Sequence, residues 1–278
     1  MTRSHRPPTR ILGIDFGATF TDAVLLERGR LIFAYSRRRE SFREQALYRN
    51  LEKQKLDFDA IAVTGRNQPL SRPCLRVHEL DAIGRGGLFL AQKKKGLVVS
   101  AGTGTAIVFA APAENTHEIG TGVGGGTLEG LSRHLLGTTL FSAHRLALQG
   151  TPDLDLSVGE VVGGPLAGLP KNATASNFGK ASKKPRRRAL AYSIFNLVSE
   201  TIGVLACSAA RRHRLPIAFF IGRTSSLSFV RQRIKTTCAL FFVRPVFLKN
   251  PELATAIGAA LFFSDRRHQK TRSFRARV

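Results

Sequence analysis

One local pattern occurs twice in this chain and restricts its fold more than any other feature. Ile11 to Ile14 is a compact apolar run that ends in DFGATFTD at 15 to 22, and Leu97 to Ala101 runs into SAGTGT at 100 to 105 before Thr105 to Ala110. Both read as strand, tight turn rich in glycine and threonine, then strand. A supersecondary unit repeated at this separation implies two α/β halves of one design. The length of 278 residues suits two domains of ordinary size, and 43% hydrophobic residues suffice for two cores.

Between and beyond the two turns the elements follow in α/β order. Asp22 to Glu27, Gly29 and Leu31 to Tyr35 read as a hairpin; Glu40 to Gln54 carries Phe42, Ala46, Leu47 and Leu51 at helical spacing; Ala60 to Thr64 is a short strand stopped by Gly65. Val77 to Leu80 leads into a helix over Asp81 to Lys95 whose first turns are weakened by Gly84, Gly86 and Gly87. Gly120 to Gly126 is a loop before a helix over Thr127 to Leu136, and Ile217 to Ile221 is a strand broken at Gly222 before a helix over Leu227 to Ile234. Residues 151 to 188 read as an irregular excursion, Ala189 to Arg212 as a long helix, and Asn250, Pro251 and Glu252 as a capped start to the apolar helix Ala254 to Phe263. The expected division is a basic arm over 1–10, a first domain over 11–95, a second over 96–264 and a basic tail over 265–278.

The charge balance is extreme: 43 Lys and Arg against 19 Asp and Glu give a formal +24. Such a surface attracts polyanions and binds nucleic acid nonspecifically at low salt, yet its basic clusters do not alternate with aromatics and no helix-turn-helix or zinc pattern occurs. Cys74, Cys207 and Cys238 are odd in number and lack CxxC spacing, which excludes a zinc ribbon or disulfide framework and reads as reduced thiols. Asp15 and Asp22 interrupt the run from Ile11 to Leu26, so it is no secretory signal; Gly96 to Ala113 and Ala189 to Ala210 read as buried elements rather than membrane spans. The expectation is a cytoplasmic protein without a membrane partner.

The chemistry lies at the turns. A carboxylate at a strand end, Asp15, can hold a hydrated divalent cation while the following backbone N–H groups and hydroxyls face phosphate oxygens. At the second turn Thr103 and Thr105 offer hydroxyls without a competing negative charge, and the glycines let backbone approach an anion. Two such turns facing one another would clamp a triphosphate. TGVGGGTLEGL at 121 to 131 adds a glycine run before a helix N-terminus, where N–H groups and the dipole favour negative charge.

The order DFGATFTD, HELDA at 78 to 82, SAGTGT, GTGVGGGTLEGL, NATASNFGK at 172 to 180, FIGRTSS at 220 to 226 and NPELATAIGAALFF at 250 to 263 resembles that of the type II pantothenate kinases, members of the actin-like ATPase superfamily. The resemblance runs from Ile11 to about Phe263. It implies an α/β fold of two ribonuclease-H-like domains flanking a nucleotide cleft, with ATP and Mg²⁺ as cofactors, pantothenate as substrate and a homodimeric state. It further implies that Gly17, Ala18, Thr19, Phe20, Thr21 and Asp22 form the first phosphate loop, with Asp15 at the metal and Thr103 at the second loop. Gly125, Gly126, Thr127, Leu128 and Glu129 would line the nucleotide, with Phe141 and Gly222 to Thr224 near the adenosine. Glu79 falls on the family's general base. Asp22 stands where the family has lysine, His117 where an arginine contacts the substrate side, and Arg223 where a small hydroxyl residue is usual; TFTD itself is closer to the hydantoinase and oxoprolinase branch. The activity so implied is phosphorylation of pantothenate to 4′-phosphopantothenate. A catalytically degenerate nucleotide-binding protein with a basic surface is the alternative. A third reading is another activity of the same fold, amino-sugar phosphorylation or acyl-CoA dehydratase activation; the cysteine spacing disfavours the latter.

Overall fold

In the computed structural model, which describes residues 9–112, 115–180 and 184–263, the first apolar run becomes the central strand of a five-stranded sheet. β1 (Arg10–Phe16), β2 (Phe20–Glu27) and β3 (Arg30–Arg38) form an antiparallel meander. Arg28 and Gly29 join β2 to β3 with φ of 48° and 79°, the two positive angles that a tight hairpin turn demands. α1 (Glu44–Lys53) then leads to β4 (Ala60–Gly65), parallel to β1, and the short β5 (Leu75–Arg76) precedes α2 (Glu79–Ala91). The order across the sheet is β3-β2-β1-β4-β5. β1 is buried on both faces, hence its unbroken apolar run. Leu12, Ile14 and Phe16 pack with Leu47 and Leu51 of α1, while Ile11 shares the other core with Val24, Ala62 and Ala82 of α2.

The second sheet has the order β12-β11-β6-β7-β8. β6 (Gly96–Ala101) and β7 (Thr105–Ala110) are the hairpin read from the sequence, and β8 (Asn115–Thr121) is an additional strand. α3 (Gly125–Leu136) ends at Gly137 in a left-handed cap and α4 (Leu140–Leu148) is capped by Thr139. The excursion contains β9 (Leu156–Ser157), α5 (Val158–Val162) and β10 (Thr174–Ser176). α6 (Arg187–Arg212), β11 (Ile217–Ile221), α7 (Ser228–Leu240) and β12 (Arg244–Phe247) follow. Among the described residues α6 is long and apolar enough to cross a membrane, but 61% of its apolar window is buried, with α3, α4 and α7 packed beside it.

The excursion is tied down by polar contacts that no local pattern announced. Asn196 of α6 donates to Asp155 at 2.8 Å and accepts from Arg233 Nε of α7 at 2.6 Å, and Arg233 Nη2 lies 2.9 Å from Glu200. Glu200 also accepts from Thr174 at 2.7 Å and Asn177 at 3.0 Å, and Asp155 accepts the Phe178 N–H at 3.0 Å. At the surface Lys180 Nζ, 2.6 Å from Glu160, and the Ser157 N–H and hydroxyl together hold the Glu160 carboxyl down to about 2.

The last helix, α8 (residues 254–263), opens differently from the sequence reading. Asn250 takes a left-handed φ of 47° without a side-chain cap, and Pro251–Leu253 form one 3₁₀ turn, Leu253 N–H donating to the Asn250 carbonyl. The described residues fall into two compact units, one of those up to Val98 with Val108–Thr116 and those from Leu248 on, the other of Val99–Ile107 and His117–Phe247. A sequential cut after residue 95 would leave α8 with the second half; its packing puts it with the first. Ala256, Ile257, Ala259 and Ala260 join the core of Ile11 and Val24, and a Cβ on Gly13 would overlap the Ala256 carbonyl. α2 and α8 cross backbone to backbone: a Cβ on Gly86 would overlap Ala254, and one on Gly258 would overlap Ala82. The glycines that weaken α2 by propensity are what permit this crossing. The basic arm and tail lie outside the described residues, apart from Thr9 and Arg10.

Candidate functional site

In the second unit the two glycine-rich segments close on each other. Gly102 N–H donates to the Gly104 carbonyl at 2.9 Å, forming the turn between β6 and β7. Onto this turn docks the start of α3: Gly125 N–H donates to Gly102 O and Gly126 N–H to Thr103 O, both at 2.8 Å. Thr224, 4% exposed, donates its hydroxyl to the same Gly102 carbonyl at 2.9 Å, and Thr105 donates to Val123 O at 2.8 Å. A Cβ at Gly125 would lie 2.5 Å from Thr224 Oγ1, and Gly222 (φ 86°) lies against Ala101. Thr127 accepts the Gly124 N–H at 3.2 Å and donates to Gly122 O at 3.0 Å. The glycines thus serve close backbone approach, and the N–H groups of Gly125 and Gly126 are taken up by the turn rather than left for an anion.

The remaining side chains of this unit differ in availability. Leu128 is wholly buried, so its side chain belongs to the core. Glu129 is paired with Arg133 one helical turn on, at 2.7 Å. Phe141 stands on the first turn of α4 with 69% of its surface exposed, an aromatic face free to stack on a planar ring. His117 is exposed on β8, its Nε2 near Gly120. The neighbouring Glu118 carboxylate, 5% exposed, lies 2.9 Å from His213 Nε2.

In the first unit Asp15 is the penultimate residue of β1 and is directly opposite Asp22 of β2 and Thr64 of β4. Gly17, Ala18 and Thr19 form the connecting loop, while Phe20, Thr21 and Asp22 already belong to β2, with Thr21 and Asp22 buried. Thr19 O accepts the Arg39 N–H at 2.9 Å, which fixes the loop to the end of β3. Glu79 is the first residue of α2, exposed, and among the described residues its carboxylate has no hydrogen-bond or ion-pair partner. Among the described residues no three His, Cys, Asp or Glu side chains gather to hold a metal. At the basic cluster that ends β3, Arg37 lies over Tyr35 and Arg38 over Phe20, so these two rings are covered by guanidinium.

Residues 92–261 match the family model of Fumble. The chain belongs to the Fumble family. Over 272 aligned residues, 91% of this chain and 98% of the relative, it is 28% identical to the type II pantothenate kinase of Bacillus cereus strain G9842. The resemblance drawn from the ordered motifs therefore holds. In three dimensions the Fumble-family chain is similar to the activator of the 2-hydroxyisocaproyl-CoA dehydratase from Clostridium difficile with bound ADPNP, with a TM-score of 0.68 and 14% identity over 95% of this chain and 97% of that one. It is similar too to a ROK family glucokinase from Streptomyces griseus in complex with glucose and AMPPNP, with a TM-score of 0.60 and 13% identity over 91% and 98%. These establish the fold as the α/β fold of actin-like ATPases and sugar kinases.

Sequence reasoning named the two turns, Glu79 and Thr224, and read Thr64 only as the end of a short strand. Thr64 was legible in principle as the hydroxyl that ends an apolar strand before Gly65, the same ending as Asp15 before Gly17 with one residue between.

Proposed function

We propose that this chain is an ATP-dependent kinase that transfers the γ-phosphoryl group to the terminal hydroxyl of pantothenate, giving 4′-phosphopantothenate, the first step of coenzyme A synthesis. The observation that carries this reading is the alignment over 98% of a relative named type II pantothenate kinase, in a chain with a sugar-kinase fold. The dimeric state and cytoplasmic location implied by the resemblance belong to the same reading.

The chain's own residues have parts suited to it. Glu79, exposed and without a partner, accepts the hydroxyl proton as that oxygen attacks phosphorus. It stands in the first turn of α2, where the helix dipole favours an acidic side chain. The turn at Gly102–Gly104, braced by α3 and Thr224, presents a rigid backbone edge with Thr103 at its tip for phosphate oxygens. Phe141 offers a face for the base. His117 offers an imidazole nitrogen to the acceptor substrate where the resemblance would place a bidentate guanidinium. The residues around Asp15 fit magnesium, since Thr64, whose buried hydroxyl has no partner, is opposite Asp15 in the sheet and both are oxygen donors. Magnesium, when bound, neutralises phosphate charge.

The test is ADP release from the purified chain with ATP, Mg²⁺ and a panel of small alcohols. The expected result is release that depends on pantothenate and falls at least about a hundredfold in Glu79→Ala. Release independent of the alcohol, or unchanged in the variant, overturns the reading.

A further inference from the structure

β8 is the edge of the second sheet, hydrogen-bonded to β7 alone, and its one large apolar side chain, Ile119, is only half-buried. Neither a second ladder nor core packing fixes such a strand. Yet Glu118, in its middle, is enclosed: the side chain is 5% exposed, with a carboxylate oxygen 2.9 Å from His213 Nε2 and the other 3.9 Å from Arg212 Nε. An enclosed carboxylate is tolerated only with a partner, and removing one member of such a pair leaves the other uncompensated. The partners here are firmly placed. His213 is the C-cap of α6, an end closed by Leu215 N–H donating to Ala210 O at 2.8 Å and Arg214 N–H to Arg211 O at 3.0 Å, with Arg214 left-handed at a φ of 54°. Cationic side chains suit that end of a helix. Neighbouring residues of a strand face opposite ways, so holding Glu118 to α6 presents His117 on the other face. There His117 is exposed, with its ring against Gly120, where a Cβ would lie 3.1 Å from Nε2.

We propose that Glu118 is a positioning residue for the acceptor alcohol: gripped by His213 and Arg212, it fixes β8 and thereby the orientation of the His117 imidazole. The effect on the acceptor rests on the kinase reading above; the grip on β8 does not.

The experiment uses the full-length chain. Glu118→Gln, which keeps the shape and removes the charge, raises the KM for pantothenate about tenfold while kcat and the KM for ATP stay within about twofold. His117→Ala raises the same KM, and adding Glu118→Gln to it changes nothing further, because the carboxylate acts through the ring. His213→Lys, which keeps a cation at the end of α6, retains the wild-type KM. His213→Gln breaks the pair from its more exposed side, reproduces the effect of Glu118→Gln and replaces that variant if it unfolds. Amide hydrogen exchange without substrates reads the grip itself: residues 117–121 exchange about tenfold faster in Glu118→Gln, and those of α6 do not. Unchanged exchange in β8, or effects of the Glu118 and His117 substitutions that multiply, overturns the proposal. A wild-type chain that phosphorylates no pantothenate refutes the kinase and the positioning with it, whereas a working wild type whose Glu118→Gln variant keeps its KM for pantothenate refutes the positioning alone.

Discussion

Replacing Gly258 with alanine sets two effects of known sign against each other. Alanine in a helix interior is favoured over glycine by about 1 kcal/mol, so on propensity alone the change in α8 stabilises. The crossing opposes it. The new Cβ would lie 2.6 Å from Ala82 C and 2.8 Å from Gly86 N, all backbone, where ordinary contact begins near 3.4 Å. No side chain there can rotate away, so α2 and α8 must part by about 3.4 − 2.6 = 0.8 Å at that atom, and by more at the Ala82 carbonyl oxygen. Parting them loosens Ala82, Leu253, Ile257 and Ala256 from the core of Ile11 and Val24. Overpacking of this kind costs about 1–3 kcal/mol and more where backbone must shift, so about 3 kcal/mol against 1 leaves a net loss near 2 kcal/mol. Gly130→Ala is the matched control, because a Cβ there, in α3, meets nothing within 4 Å. It should stabilise by up to about 1 kcal/mol. Urea unfolding followed by circular dichroism measures both. A Gly258→Ala chain as stable as wild type, or both variants shifting alike, would refute the reasoning that the α2–α8 contact is rigid.

Other expectations follow from the site and its supports. Glu79→Gln should lower kcat by about 10²–10⁴ with little change in the KM for ATP, read by coupled ADP release; a change confined to KM would count against a proton-transfer role. His144 accepts the Phe229 N–H at 3.2 Å and burial lowers its pKa, so the unfolded chain binds the proton more readily than the folded one. Its contribution is therefore present above the ordinary imidazole value of about 6.5 and is lost as pH falls from there through the lowered folded value, which His144→Gln should remove from the pH dependence of the urea midpoint. Arg233→Met leaves Asn196 and Glu200 short of their cationic donor in a site about one-fifth exposed. A loss of roughly 2 kcal/mol is expected, with faster proteolysis between residues 163 and 180; an unchanged digestion rate would mean the network does not anchor the excursion.

How far the chain could be read from its letters depended on where the determining contacts lie. β1, the β2–β3 hairpin and the β6–β7 hairpin were legible because apolar runs, glycine turns and strand period are local. α6 was legible because its length and composition leave few alternatives. β8 was not, since NTHEIGT has no apolar alternation and pairs as an edge. α2 looked weak because Gly84, Gly86 and Gly87 lower helix propensity, whereas each faces a contact supplied from outside the helix, at Asn115, Ala254 and Val98. The excursion looked irregular because its order comes from Asn196, Glu200 and Arg233, far along the chain. At the site, glycine runs were read as open to an anion, but the carbonyls of Gly102 and Thr103 reach them first, a pairing that only the folded chain displays.

The return of α8 to the first unit sets an order on synthesis. A ribosome that has released residues up to Phe247 has delivered every strand and helix of the second unit, while the half made earlier still lacks the helix that covers Ile11, Val24 and Ala62. The part translated first is thus the part completed last, and until residues 254–263 emerge its half-covered sheet must wait with an apolar face open to chaperones or to other nascent chains.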